Sequence, residues 1–253
     1  MHNHNARYLV TLIVVLAIAA IVSRWYGGSR EVAVDFSLYT AGPQRKAAFL
    51  AYFLPIIQRQ NEEIMQDRER LLVLQARSFS LSDQEKKWVA DIAREFGLDA
   101  FDIGDPSSWS VLVDRVDMIP PSLALVQGAN ESAWGTSRFA RDGYNYFGQW
   151  CFTTGCGLVP TRRDTGALHE VAVFDSPVKS VERYIHNLNT HRAYRSLRDI
   201  RRSLRSESQV LTGEKLADGL GNYSARGTAY IDELKQMMRH NKLEELNPMP
   251  VHE

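Results

Sequence analysis

Residues 119–152 read IPPSLALVQGANESAWGTSRFARDGYNYFGQWCF. Pro120 and Pro121 suit the opening of a helix, whose first N–H groups have no intrahelical partner in any case. Leu123, Val126 and Ala129 or Asn130 then recur at helical spacing, and Leu125 and Ala133 widen the apolar face. The spacing predicts a buried helix followed by a loop punctuated by glycines. A lone carboxyl, Glu131, stands near the C-terminal end of that helix. Ala129, Ser132, Ala133 and Gly135 are small enough to leave room beside it for a ligand, and Trp134 covers one side. Desolvation in such a half-apolar pocket raises a carboxyl pKa, which keeps a proton available for donation near neutral pH.

Around this stretch the chain is ordinary in composition. Its 253 residues, 44% hydrophobic and 24% charged, allow one sizeable domain with an extension or two small ones. Thirty basic residues balance thirty acidic ones, which argues against wholesale binding of nucleic acid. The glycines lack the spacing of a phosphate-cradling loop or a dinucleotide fingerprint. The two cysteines have no matching pair of histidines for zinc. No cofactor or metal is expected.

The N-terminus carries an address. Tyr8–Ser23, YLVTLIVVLAIAAIVS, is uncharged, with Arg7 before it and Arg24, Trp25 and Tyr26 after it. The run is slightly shorter than the roughly 20 residues of a spanning helix and longer than most signal-peptide cores. Ala17-Ile18-Ala19 offers a small-x-small cleavage site, whereas Trp25 and Tyr26 suit a membrane interface. Residues 1–26 are therefore read as a signal or anchor segment for export, with residues 8–23 holding the chain to the inner membrane from the periplasmic side. Residues 27–45, with Gly27, Gly28, Gly42 and Pro43, read as a linker.

Residues 46–116 read as a helical extension. Phe49, Tyr52, Phe53, Ile56 and Ile57 share a face, and Pro55 is expected to break or kink that helix. Ser82 with Glu85 has the pattern of a capping box, Trp88, Ile92, Ala93 and Phe96 form a stripe, and Gly97 ends the helix. Asp102–Ser108 reads as a turn and Trp109–Val116 as another helix. Downstream of the opening stretch, Cys151 and Cys156 are either a short disulfide loop or two buried thiols, and export favours the bridge. Alternation at Val171 and Val173, with Asp164, Thr165 and Gly166 at a turn, predicts a short hairpin. A helix follows from Pro177, with Val178, Val181, Tyr184, Ile185 and Leu188 on one face. Arg192, Arg195, Arg198, Arg201, Arg202 and Arg205 read as an exposed basic face paired with Asp199 and Glu207, rather than as a site for anionic polymer. Residues 244–253 read as a frayed tail.

Glu131-Ser132, Gly135, Ser137-Arg138-Phe139-Ala140 and Asn145-Tyr146-Phe147-Gly148 together resemble the glucosaminidases that hydrolyse peptidoglycan, glycoside hydrolase family 73. The Glu-Ser pair with its spaced glycine is shared with lytic transglycosylases and goose-type lysozymes; the Asn-Tyr-Phe-Gly element narrows the likeness. It covers residues 117–243. The resemblance implies an α+β, mainly α chain whose lysozyme-like domain carries a small β-lobe. It implies Glu131 as general acid, with Trp134, Ser137, Asn145, Tyr146, Phe147 and Gly148 as substrate contacts. Tyr223, in Leu220–Leu234, matches a family tyrosine close to the reacting sugar. The family's second carboxylate sits in a Thr-x-Glu setting, from which this chain departs, leaving Asp164 or Glu170. The implied activity is that of an endo-β-N-acetylglucosaminidase cutting peptidoglycan glycan strands. Lytic transglycosylation to anhydro products and a non-catalytic wall-binding module are the alternatives.

Overall fold

The computed structural model describes residues 33–160 and 169–248. The expected span at 8–23, Asp164 with its turn, and residues 249–253 lie outside them. Among the described residues no helix is long and apolar enough to cross a membrane.

Asp35–Glu253 forms one compact unit, so the expected extension and the downstream domain are a single body. Within the expected linker, residues 27–45, only residues from 33 on are described. Phe36 is fully buried, its ring 5.3 Å from Phe49 and 6.1 Å from Phe53.

Helix α1, Pro43–Gln75, runs unbroken through Pro55. The proline removes one N–H, but Pro55 and Ala51, whose carbonyl loses that donor, are both exposed, on the side of the helix where the loss costs least. The buried face of α1 includes Asn61, which clamps Ile119 through both backbone groups: Nδ2 donates to its carbonyl at 2.8 Å and Oδ1 accepts from its N–H at 3.1 Å. Helix α2, Asp83–Glu95, starts in the capping box of Ser82 and Glu85, and Gly97 follows it at φ +72°. Helix α3, Pro106–Arg115, begins before the expected Trp109, because Asp105 caps it and Pro106 takes the first turn.

Helix α4, Pro121–Ser132, is the predicted buried helix. Every residue from Pro121 to Ala129 is buried, as expected of a helix with little amphipathic contrast. It packs against α1 and against elements from the C-terminal third. Helix α5, Arg138–Gly143, is capped by Ser137. Strands β1 (Trp150–Cys151), β2 (Gly157–Leu158) and β3 (Glu170–Ala172) make an antiparallel sheet in the order β1-β3-β2. Cys151 and Cys156 are joined by a disulfide.

Helix α6, Pro177–Thr190, is capped by Ser176, and a 3₁₀ turn, Arg192–Tyr194, leads to helix α7, Arg195–Ser206. The arginines of α7 are not all an exposed face. Arg201 is 1% exposed and donates to the carbonyls of Asp114, Asp117 and Met118 and to Asn189 Oδ1. Arg198 is buried on the carbonyls of Leu188 and His191. These partners lie in other elements, where helix periodicity does not reach. Helices α8, Gly213–Ala217, and α9, Thr228–His240, complete the bundle. The start of the expected tail is packed: the 3₁₀ turn Leu243–Leu246 lies on α4, and Asn247 Oδ1 accepts from Ser122 N–H at 2.9 Å, satisfying a free donor of that helix's first turn.

Candidate active site

Glu131 occupies the last turn of α4 and is only partly exposed. Gln127 lies one turn earlier on the same face, so the two side chains share a stripe of a mostly buried helix. Tyr230 of α9 donates from Oη to Glu131 Oε1 at 2.8 Å. Gln127 Nε2 donates to Tyr230 Oη at 3.0 Å, and Tyr184 Oη of α6 donates to Gln127 Oε1 at 2.6 Å. The chain of donors from Tyr184 through Gln127 and Tyr230 thus ends on one oxygen of the acid. Asn130 Nδ2 adds a longer contact to that oxygen at 3.4 Å.

Oε2 carries no hydrogen bond among the described residues and faces Gly148. This glycine is exposed at φ +62°, and a Cβ built on it would stand 3.4 Å from Oε2. The missing side chain leaves that oxygen open. Burial pushes the Glu131 pKa above the ordinary carboxyl value, and the hydrogen bonds from Tyr230 and Asn130 only partly oppose it. No arginine or lysine pairs with Glu131 among the described residues. Tyr230, buried beside this carboxylate, has its pKa raised in turn and stays a donor.

The turn after the acid is held by its neighbours in sequence. Ser132 Oγ donates to the carbonyl of Gly128 at 2.5 Å and accepts from Gly135 N–H at 2.8 Å. Ala133, Trp134 and Gly135 all have positive φ, and a Cβ on Gly135 would fall 2.2 Å from the Phe36 ring. The Glu-Ser-x-x-Gly spacing therefore closes the helix and turns the chain sharply beneath Phe36.

Of the residues expected to touch substrate, Gly148 abuts the acid and the others are largely spent on the fold. Asn145 is buried: Nδ2 donates to the carbonyls of Gln149 and Ala172 while Oδ1 accepts from Gln149 N–H. Tyr146 joins the aromatic cluster of Phe36 and Phe53. Phe147 stacks on Tyr184 with ring centroids 4.0 Å apart, and Ser137 caps α5. Trp134 has Phe49 against one edge and the Lys46 ammonium 5.1 Å above its ring.

Tyr223 is half-buried. Its hydroxyl donates to the Phe147 carbonyl at 2.8 Å, and its ring lies parallel to Tyr230 at 5.6 Å. It supports Tyr230 and holds the loop bearing Gly148. Glu170 sits in β3, 5% exposed, accepting from Gly155 N–H at 3.0 Å and Gly157 N–H at 2.8 Å. Its carboxylate closes the disulfide loop.

Sequence reasoning missed Tyr230 and Gln127. A glutamine one turn before the glutamate on a fully buried helix was a usable signal, because a buried amide requires partners. Tyr230 stands within the Leu220–Leu234 stretch, but its link to Glu131 spans 99 positions.

The family of mannosyl-glycoprotein endo-beta-N-acetylglucosaminidases matches residues 112–243. The chain is also 35% identical over 208 residues to Protein bax of Escherichia coli (strain K12), covering 82% of this chain and 74% of that protein. No solved structure matches the chain.

Proposed function

The chain belongs to the mannosyl-glycoprotein endo-beta-N-acetylglucosaminidase family, and from that premise we propose that it hydrolyses glycan strands of peptidoglycan as an endo-acting β-N-acetylglucosaminidase. The observation that carries this reading is the asymmetry of Glu131. Oε1 accepts from Tyr230, while Oε2 lies open beside Gly148. A protonated carboxyl in this setting keeps its carbonyl oxygen on Tyr230 and presents the O–H from Oε2, the arrangement a general acid needs to protonate the leaving glycosidic oxygen.

The reacting sugar needs a second group as the bond to the leaving oxygen breaks. Of the two carboxylates weighed for it, Glu170 has both oxygens engaged by backbone N–H groups and Asp164 lies outside the described residues; we assign the role to the substrate's own N-acetyl oxygen, which bonds to the anomeric carbon. Water then opens the cyclic intermediate, and the Glu131 carboxylate takes its proton. The Cys151–Cys156 bridge suits the oxidising periplasm, with residues 8–23 as the membrane tether.

Mass spectrometry of fragments released from purified wall tests the reading. A hydrated reducing end on N-acetylglucosamine supports it. A product lighter by one water replaces it with lytic transglycosylation, release no greater than without the protein replaces it with a non-catalytic wall-binding role, and equal release by wild type and Glu131→Gln removes Glu131 as the acid.

A further inference from the structure

Between α3, the turn after α6 and α7 the surface holds a cavity of about 340 Å³ lined by Arg115, Arg192, Arg195, Arg198 and Arg202. Two carboxylates also face it, Asp114 and Asp199, and Arg202 engages both: Nη1 donates to Asp114 and Nη2 to Asp199 Oδ1 at 2.5 Å. Arg195 stands 3.8 Å from Asp199. Among the described residues no carboxylate pairs with Arg115, Arg192 or Arg198.

Arg115 and Arg198 are held in place without being neutralised. Arg115 Nη1 donates to the carbonyls of Phe96 and Gly97, and Arg198 Nη1 to those of Leu188 and His191. Each keeps the remaining donors of its fork. Arg198 is 7% exposed, and burial together with the charge of Arg115 pulls its pKa down. Fixed, desolvated guanidiniums of like charge lining one cavity favour an oxyanion, whose paired oxygens match the planar fork.

The cavity is linked to the tyrosines that back Glu131 through one turn. The 3₁₀ turn that brings Arg192 to it also carries Tyr194, whose ring is 5.8 Å from Tyr223. Asn222 Nδ2 donates to the Ala193 carbonyl in the same turn at 3.2 Å. We propose that this arginine-lined cavity binds the carboxylates of the acidic peptides that branch from the wall glycan, beside the strand that Glu131 cuts. This rests on the hydrolase reading and adds a peptide subsite to it.

A titration of the ¹⁵N-labelled full chain with free wall tripeptide, with the same peptide amidated at its carboxylates, and with inorganic phosphate tests the cavity directly. Saturable shifts of the Arg192, Arg195 and Arg198 side-chain resonances with the free tripeptide are expected. Affinity should fall at least tenfold in Arg192→Gln/Arg195→Gln, two exposed positions whose loss spares the fold. No saturable shift, equal binding of the amidated peptide, or a response to phosphate alone overturns the proposal. In turnover, the ratio of kcat/KM on peptide-bearing to denuded strands should drop about tenfold in the double variant and hold in Arg94→Gln on α2. An unchanged ratio in the double variant also overturns it. A wild-type chain that cuts neither substrate overturns the hydrolase reading instead, and the titration then decides the cavity alone.

Discussion

Asp117 lies just ahead of α4 and Glu131 in its last turn, both drawn well out of water, and their surroundings differ in kind. Asp117 is 2% exposed and faces three guanidiniums: Arg205 Nη2 at 2.7 Å, Arg68 Nη1 at 3.4 Å and Arg201 Nε at 3.6 Å. Burial pushes its pKa up, but Arg201, Arg205 and Arg68 together outweigh that, and the carboxyl ends below its ordinary range. Arg201 is itself pulled down to about 10 by burial, with Asp117 opposing. Glu131 has a tyrosine and an amide in place of arginines, so burial wins and its pKa rises. The company of each carboxyl, more than its depth, decides which way its pKa moves. Asp117 is built to hold the start of α4, while Glu131, at its end, is the group proposed to give a proton away.

The largest test of this contrast is Glu131→Gln. The amide keeps the shape and the bond from Tyr230 but has no proton to donate, so wall hydrolysis should fall roughly 10²–10⁴-fold, as for loss of a general acid. Asp117→Asn should do the reverse. It leaves three arginines without their anion, and breaking a buried ion cluster costs about 3–5 kcal/mol of stability. Thermal melts across pH sharpen the comparison. The folded pKa of Asp117 lies below the unfolded value of 3.8, so its contribution is present above that pH and lost as pH falls through the folded value. The folded pKa of Glu131 lies above 4.5, so its contribution is complete below that pH and lost as pH rises. Glu131→Gln should therefore melt higher than wild type at neutral pH and converge with it in acid, while Asp117→Asn should melt lower at neutral pH and converge below pH 3.8. Melting curves of the same sign for both variants would undo the contrast.

The two sites also differ in how far the sequence revealed them. The helix from Pro121, the acid near its end, the Ser82–Glu85 cap and the start of α6 rest on residues within a turn of one another, and all were legible. The Asp117 cluster was not: Arg205 acts across 88 positions, and the arginines of α7 share their spacing with an exposed face. The role of Asn145 was hidden in another way, since a motif residue that builds a loop looks the same in sequence as one that binds sugar. Phe36 and Tyr230 are single aromatics whose value comes only from where the fold brings them.

Gly148→Ala addresses the open side of Glu131. A non-glycine residue in this left-handed conformation costs roughly 1–2 kcal/mol, and its Cβ would press on Oε2. Activity should fall by more than the loss of stability accounts for, measured as kcat/KM at a temperature where both proteins are fully folded. Equal activity in the folded variant would mean that the substrate reaches the acid from another side.

The smallest effect belongs to Tyr230→Phe. The ring stays, parallel to Tyr223, and only the bond to Oε1 is removed. That bond favours the ionised form of Glu131, so its loss moves the acid's pKa further up. The alkaline limb of the pH–rate profile, which falls as Glu131 loses its proton, should shift to higher pH. At the optimum the rate should drop about three- to tenfold, because the carboxylate left after proton transfer has lost a charge-assisted donor. Gln127 Nε2 loses its acceptor in the same variant, so Gln127→Leu in the Tyr230→Phe background should add little to the rate loss, the non-additivity expected of linked groups. A profile that keeps its alkaline limb while the rate falls would make Tyr230 a packing residue. Burial would then raise the Glu131 pKa without opposition from Tyr230, with the proton free to sit on either oxygen.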